Sequence, residues 1–245
     1  MALISVLALS FPLLMLIFTG LVKHKSFPVL CIYYALMIFD NCVGEGYLPI
    51  PESISRYTGT ICNMLDPLLM LGFIIYFSRS PLIKKRIAWL IACLVVFEIF
   101  SVIVFGFNKN GLAVALGPGL TAMLLLSVYF FLHQVKLSVT KGKAIGKAIM
   151  ISALAFMYGC YFIIYLVSFV FKNPDLASSL LILYFINLFS CSAMAIGILI
   201  ESQRVKKLNE LLIARKEMAE IYSSISYRSV KPKVFTAFRK RFLIK

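Results

Sequence analysis

Three acidic side chains interrupt stretches of this sequence that are otherwise almost wholly apolar. They are Asp40, Asp66 and Glu98, and no Lys or Arg occupies a comparable central position in any apolar stretch. A charged carboxylate is costly in hydrocarbon, so each acid must be protonated, face water or bind a cation. Three such acids without a basic partner predict a site for protons, a small cation or an amine-bearing ligand.

The second of these acids is followed directly by a proline, in the sequence NMLDP at residues 63–67. Pro67 has no N–H group to donate to the carbonyl of Asn63, four residues earlier, so it predicts a local helix break. Asn63 and Asp66 share a helical face because they are three residues apart. One helical turn is therefore expected to present a carbonyl, an amide and a carboxyl group together.

Polar side chains in two later apolar stretches are predicted to lie at compatible depths. Tyr158 and Tyr161 belong to the sixth stretch and Asn187 to the seventh. We expect them to complete a ligand- or ion-binding pocket with the acids, although such residues also serve simply as interhelical hydrogen-bonding groups. Pro118, which lies between two glycines, predicts a kink or a close helix contact in the fifth stretch.

The elements that must position these residues are membrane-spanning helices. Of the 245 residues, 61% are hydrophobic and 14% charged, with a mean hydropathy of +0.94, which is too apolar for a soluble domain of this length. Seven windows of about 20 residues are each long enough to cross ~30 Å of hydrocarbon as a helix. They are residues 2–22, 27–47, 57–77, 87–106, 111–133, 147–171 and 177–200. The predicted fold is an all-α integral membrane protein with seven transmembrane helices.

The basic residues predict how these helices are oriented. Of the 25 Lys and Arg residues, 22 fall in the segments after the first, third, fifth and seventh helices. The positive-inside rule then places the N-terminus outside and the C-terminus in the cytoplasm. The sequence contains no Asn-x-Ser/Thr glycosylation site, which favours a bacterial cell (inner) membrane, where we expect a multi-pass plasma-membrane protein.

The chain is predicted to divide into a seven-helix domain, 1–200, and a basic cytoplasmic tail, 201–245. Apolar residues in 201–225 recur at alternating spacings of three and four, which predicts a short helix. This helix could form a coiled coil in a homodimer, bind a cytoplasmic partner, or lie on the inner leaflet as an amphipathic helix. Residues 231–245 interleave three Phe with six Lys or Arg, which favours contact with anionic lipid. No nucleic-acid recognition motif accompanies the charge, so no nucleic-acid partner is expected.

The sequence offers few parts for catalysis, metal binding or disulfide formation. HExxH, GxSxG and Walker signatures are absent, and the two histidines lack a paired metal-ligand motif. We therefore predict no catalytic residues, metal or cofactor. All six cysteines fall within predicted helices, where they act as small apolar residues; a Cys42–Cys62 bond is the one alternative considered.

Three functions remain compatible with these residues. The leading hypothesis is a receptor-like sensor whose outward pocket binds a small or cationic ligand or protons and whose cytoplasmic helix carries the output. The first alternative is a small proton- or cation-coupled transporter that uses the same acids. The second is an aspartate-based intramembrane lipid hydrolase using Asp40, Asp66 and Glu98.

Overall fold

Seven α-helices make up most of the chain that the structure describes, and no strand occurs among the described residues. The structure is a computed structural model that describes residues 2–24, 26–48, 50–78, 80–107, 109–141, 144–170 and 176–229. The helices are α1 (Ala2–Thr19), α2 (Phe27–Gly44), α3 (Glu52–Ile74), α4 (Pro81–Phe105), α5 (Lys109–Lys141), α6 (Ile145–Tyr165) and α7 (Leu176–Ser229). A 3₁₀ segment, Ile75–Phe77, extends α3, and a π-helical segment, Leu166–Val170, extends α6.

Local sequence signals account for several of the helix ends. Pro81 is the first residue of α4, where its missing N–H would have had no intrahelical partner. After α1 ends at Thr19, Gly20 adopts a left-handed conformation with φ of 71°, and Gly106 follows α4 with φ of 73°. Glycine tolerates positive φ without steric cost, so these positions allow the chain to leave the helix sharply.

Six of the helices are long and apolar enough to cross a membrane, which makes the chain a multi-pass membrane protein. The remaining helix, α1, is apolar but has only 18 residues, or about 27 Å. Large apolar side chains also cover the outside of the bundle, where Phe18 and Ile103 are 80% and 76% exposed. A helix that is apolar all round is expected where lipid is the solvent.

Helix α3 is central to the bundle and therefore carries Asp66 into its interior. Sequential helices from α1 to α6 pack against one another, and α3 packs against α2, α4 and α5. Helices α6 and α7 approach very closely: a Cβ atom added at Gly146 would lie 2.9 Å from the Gly197 carbonyl oxygen. Small residues at such crossings are typical of helix packing in membranes.

The seventh helix differs from the prediction that it ends at residue 200. It is helical from Leu176 to Ser229, because this segment contains no proline and its later part is rich in strong helix formers. By compactness the chain divides into Met1–Ser202 and Gln203–Lys245. Glu201, which we assigned to the tail, is fully buried and belongs to the first unit.

In the second unit, the described apolar side chains of the predicted seam are exposed. The exposed side chains include Leu208, Leu211 and Met218. Such a surface is compatible with contact to another protein or to the inner membrane leaflet. The Phe-rich segment 231–245 lies outside the described residues.

Candidate ligand-binding site

A cavity of about 320 Å³ lies among α2, α3, α5, α6 and α7, toward the end of the bundle where α2 ends and α3 begins. Its polar lining consists of Tyr33, Asp40, Asn41, Asn63, Asp66, Tyr161, Tyr165 and Asn187. Its apolar lining consists of Met37, Leu116, Leu120, Ile164, Phe169 and Leu183. We call this space the acidic cavity, because the described residues that line it include two carboxyl groups and no Lys or Arg. Its size is at the lower end of the range for small-molecule sites.

Asp66 forms the buried floor of the acidic cavity. Its side chain is 9% exposed, and its Oδ1 accepts a hydrogen bond of 2.5 Å from the hydroxyl of Tyr158, which is fully buried behind it. The hydroxyl of Tyr33 also interacts with the Asp66 carboxyl group. Tyr158 belongs to α6 and Tyr33 to α2, so the Asp66 carboxyl group links α3 to both of these helices.

Asp40 has different surroundings. It is half-buried, and no group in the described part of the chain donates a hydrogen bond to it. It faces Gly59 of α3, where an added Cβ atom would lie 3.5 Å from Asp40 Oδ1. The neighbouring Asn41 amide donates to the Met37 carbonyl at 2.8 Å and so does not occupy the carboxylate. Asp40 is therefore the carboxylate of the acidic cavity that is available to a ligand.

Aromatic rings form much of the wall between the two carboxyl groups and α7. The Tyr161 hydroxyl donates to the Asn187 side-chain oxygen, which joins α6 to α7. The Tyr165 hydroxyl donates to the Ala113 carbonyl of α5 at 3.0 Å. With Tyr33 and Phe169, these rings offer π-faces that attract a cation held by the acids.

Both predicted helix-break prolines lie within continuous helices. Helix α3 runs through Pro67 and α5 through Pro118, because losing one backbone hydrogen bond does not disrupt a helix held by its neighbours. The glycines beside Pro118 lie at close contacts: a Cβ atom at Gly117 would be 2.7 Å from the Tyr165 hydroxyl, and one at Gly119 would be 2.9 Å from Pro67 Cγ. The prolines therefore mark where α3, α5 and α6 cross beside the cavity.

Glu98 is the sequence-predicted site residue that the structure places elsewhere. It is 4% exposed and lines a separate, largely apolar groove between α3 and α4, together with Met64, Leu65 and Leu68. Its Oε1 is buried and has no hydrogen-bond partner among the residues that the structure describes. The structure does not bring Glu98 together with Asp66 in one pocket, because Glu98 faces the side of α3 that carries Leu65 and Leu68.

Of the other predicted residues, Asn63, Tyr161 and Asn187 line the acidic cavity, and Tyr158 supports it from behind. Tyr33, Asn41 and Tyr165 also line the acidic cavity. The spacing of Tyr33 from Asp40, and of Tyr165 from Tyr158 and Tyr161, predicts that both tyrosines face the polar cavity, whereas nothing in the sequence singles out Asn41.

A second buried polar cluster closes the other end of the bundle. The Tyr76 hydroxyl donates to Glu201 Oε1 at 2.5 Å, and the Lys147 ammonium lies 3.9 Å from the centre of the Tyr76 ring. Gln134 donates to the Phe77 carbonyl at 3.1 Å, and the rings of Phe27 and Phe73 pack around Tyr76. We call Tyr76, Lys147 and Glu201 the closed-end cluster. The sequence gives no signal for this cluster, because all three residues lie near predicted helix ends.

The acidic cavity carries groups that can bind a cation. No group of three or more His, Cys, Asp or Glu residues in the described ranges could hold a metal ion, and all six cysteines are free. The cavity instead combines carboxylates, amides and aromatic faces, which are the groups that recognise a protonated amine.

Comparisons with protein families, with curated proteins and with solved structures find no match for this chain.

Proposed function

We propose that this protein is a seven-helix membrane sensor that binds a small cationic ligand, of the protonated-amine type, in the acidic cavity. The observation that carries this proposal is the presence of two carboxyl groups, three amides and three phenols around one 320 Å³ space whose described lining contains no Lys or Arg. An ammonium ion would bind Asp40 directly, and the aromatic wall would stabilise its charge. Asp66, which already accepts hydrogen bonds from the protein, would hold the helices in register.

The proposed topology places the N-terminus outside, the C-terminus in the cytoplasm and the acidic cavity toward the outside of the cell membrane. The segments at the cavity end of the bundle carry few basic residues, whereas the opposite end carries most of them. Helix α1 would provide the seventh span, and its packing against α2 supports this assignment. The proposed orientation of α2 to α7 rests on the distribution of basic residues and does not depend on whether α1 crosses the membrane.

The output would pass through α7, which carries both Asn187 of the cavity and Glu201 of the closed-end cluster. The exposed seam of the second unit would then contact a second copy or a cytoplasmic protein, and the basic tail would contact anionic inner-leaflet lipid.

The test is ligand binding by the purified protein in lipid nanodiscs, measured by calorimetry with ethylammonium, choline and Na⁺ as probes. We expect an organic ammonium to bind the wild type and Asp40→Asn to lose at least tenfold in affinity while keeping its thermal stability. Glu98→Gln is the matched control, because Glu98 is also a buried acid but does not line the acidic cavity. Equal binding by wild type and Asp40→Asn would refute the site.

A small cation-coupled transporter is the second candidate, favoured by the buried carboxyl group of Asp66 within a membrane-spanning helix. Acidic residues inside membrane-spanning helices commonly mark ion and proton pathways. This candidate requires accumulation of a radiolabelled amine in proteoliposomes, lost in Asp66→Asn. Binding without flux favours the sensor.

A further inference from the structure

A second space adjoins the acidic cavity from the lipid side. It is a groove of about 740 Å³ between α6 and α7, which we call the lateral groove, and its described lining is entirely apolar apart from one cysteine thiol, Cys160. Ile163 and Phe185 on its rim are 61% and 65% exposed, so the groove is accessible from the bilayer. Phe156 and Phe189 close one end, with ring centroids 5.2 Å apart.

The lateral groove and the acidic cavity share the side chain of Ile164, which lines both. Just beyond it, the π-helical segment that follows α6 contributes Val167 to the groove and Phe169 to the cavity. On α7, Ile186 lines the groove while its neighbour Asn187 lines the cavity. A π-helical turn widens a helix locally, and such turns are frequent at functional sites. The two spaces therefore lie side by side, one acidic and one apolar.

We propose that the ligand is a single-chain amphiphile whose cationic head group occupies the acidic cavity and whose hydrocarbon tail lies in the lateral groove. This inference rests on the proposed function and specifies the ligand class. Asp40 and Asp66 complement the positive charge of the head group. The lateral groove, which begins beyond Ile164, matches the apolar tail. Because lipid tails are as apolar as the groove, the tail adds orientation and access from the bilayer, while the ammonium group provides recognition.

The experiment compares three probes on the full-length protein in nanodiscs: ethylammonium, dodecylammonium and dodecanol. Affinities for the two long-chain probes are expressed as mole fractions in the bilayer, which removes the effect of partitioning. We expect dodecylammonium to bind at least tenfold more tightly than dodecanol, because only the amine carries the charge. We expect Cys160→Trp, which fills the lateral groove, to weaken dodecylammonium at least tenfold and to leave ethylammonium unchanged. Cys93→Trp is the matched control, since Cys93 is exposed on α4, away from the groove.

A second measurement does not depend on a variant that folds. Dodecylammonium with a diazirine at the end of its tail should label groove residues of the wild-type protein, including Phe185 or Phe189, and excess ethylammonium should reduce that labelling.

The outcomes separate the two proposals. If no amine binds, the proposed function itself fails. If ethylammonium binds but Cys160→Trp leaves dodecylammonium unaffected and no groove residue is labelled, the small-cation site stands and the amphiphile is overturned. Equal binding of dodecanol and dodecylammonium also overturns the amphiphile proposal. A change of oligomeric state in Cys160→Trp overturns it as well, because the lateral groove would then be an interface between copies of the chain.

Discussion

The strength of the hydrogen bond between Tyr158 and Asp66 depends on whether the Asp66 carboxyl group is ionised, so it can be used to test that charge. Tyr158 is fully buried. The substitution Tyr158→Phe keeps the ring and removes only the hydroxyl group that donates to Asp66, so it creates no large cavity. A hydrogen bond to a charged acceptor contributes about 1.5–3 kcal/mol, and one to a neutral acceptor about 0.5–1.5 kcal/mol. An ionised Asp66 therefore predicts a loss in the higher range, and a neutral Asp66 a loss in the lower range.

The assay is a double-mutant cycle with Asp66→Asn, read from the free energy of unfolding in detergent by denaturant titration. Asparagine still offers an oxygen to Tyr158 but carries no charge, so Tyr158→Phe should cost about 0.5–1.5 kcal/mol in that background. Tyr161→Phe is the control, since its hydroxyl donates to the neutral Asn187 amide, and it should cost the same in both backgrounds. A cost below about 0.5 kcal/mol for Tyr158→Phe in both backgrounds would refute the hydrogen bond. Equal, larger costs would instead show that Asp66 is neutral.

Three further predictions concern other parts of the molecule. Glu98→Met should stabilise the protein by about 1–3 kcal/mol, because it removes a buried carboxyl oxygen that has no partner among the described residues. Destabilisation in a thermal-unfolding assay would show that an interaction holds this acid. Gly119→Leu should destabilise by about 1–3 kcal/mol in the same assay, because its side chain would separate α5 from the proline of α3. Gly159→Leu, whose added Cβ atom meets nothing closer than 3.8 Å, should cost less. Leu211→Glu should change the thermal stability by no more than about 0.5 kcal/mol, because Leu211 is exposed. It should, however, reduce the amount of dimer that is cross-linked in membranes. Undiminished cross-linking would refute pairing through the exposed seam.

Much of the helical architecture could be predicted because apolar windows of spanning length leave few alternatives in lipid. The ends were less predictable. Helix α5 continues to Lys141, eight residues beyond the predicted end at 133, because helical propensity does not stop where hydropathy falls. The same reason applies to α7, whose polar continuation remains helical to Ser229.

The candidate site was partly predictable for a different reason. Asn63 and Asp66 share a face by their spacing alone, and both line the acidic cavity. Helix α4 gives no such guide, because it is apolar on all sides, so the direction in which Glu98 points depends on packing against α3. Pairing across helices, as between Tyr158 and Asp66, is likewise decided by tertiary contacts that no local period encodes.

The two buried polar clusters connect the same three helices, and this bears on how the cavity could communicate with the opposite end. In the acidic cavity Asp66 of α3 is joined to α6, and α6 is joined to α7. In the closed-end cluster Tyr76 follows α3, Lys147 belongs to α6 and Glu201 to α7. Asp66 and Tyr76 are ten residues apart, or about 15 Å along a helix. Under the proposed function, a cation bound by Asp40 would shift α2 against α3, and a close-packed helix would transmit such a shift along its length rather than absorb it. Because buried polar contacts break over short distances, the closed-end cluster would, under the proposed function, convert a small movement of α3 into a discrete change at Glu201.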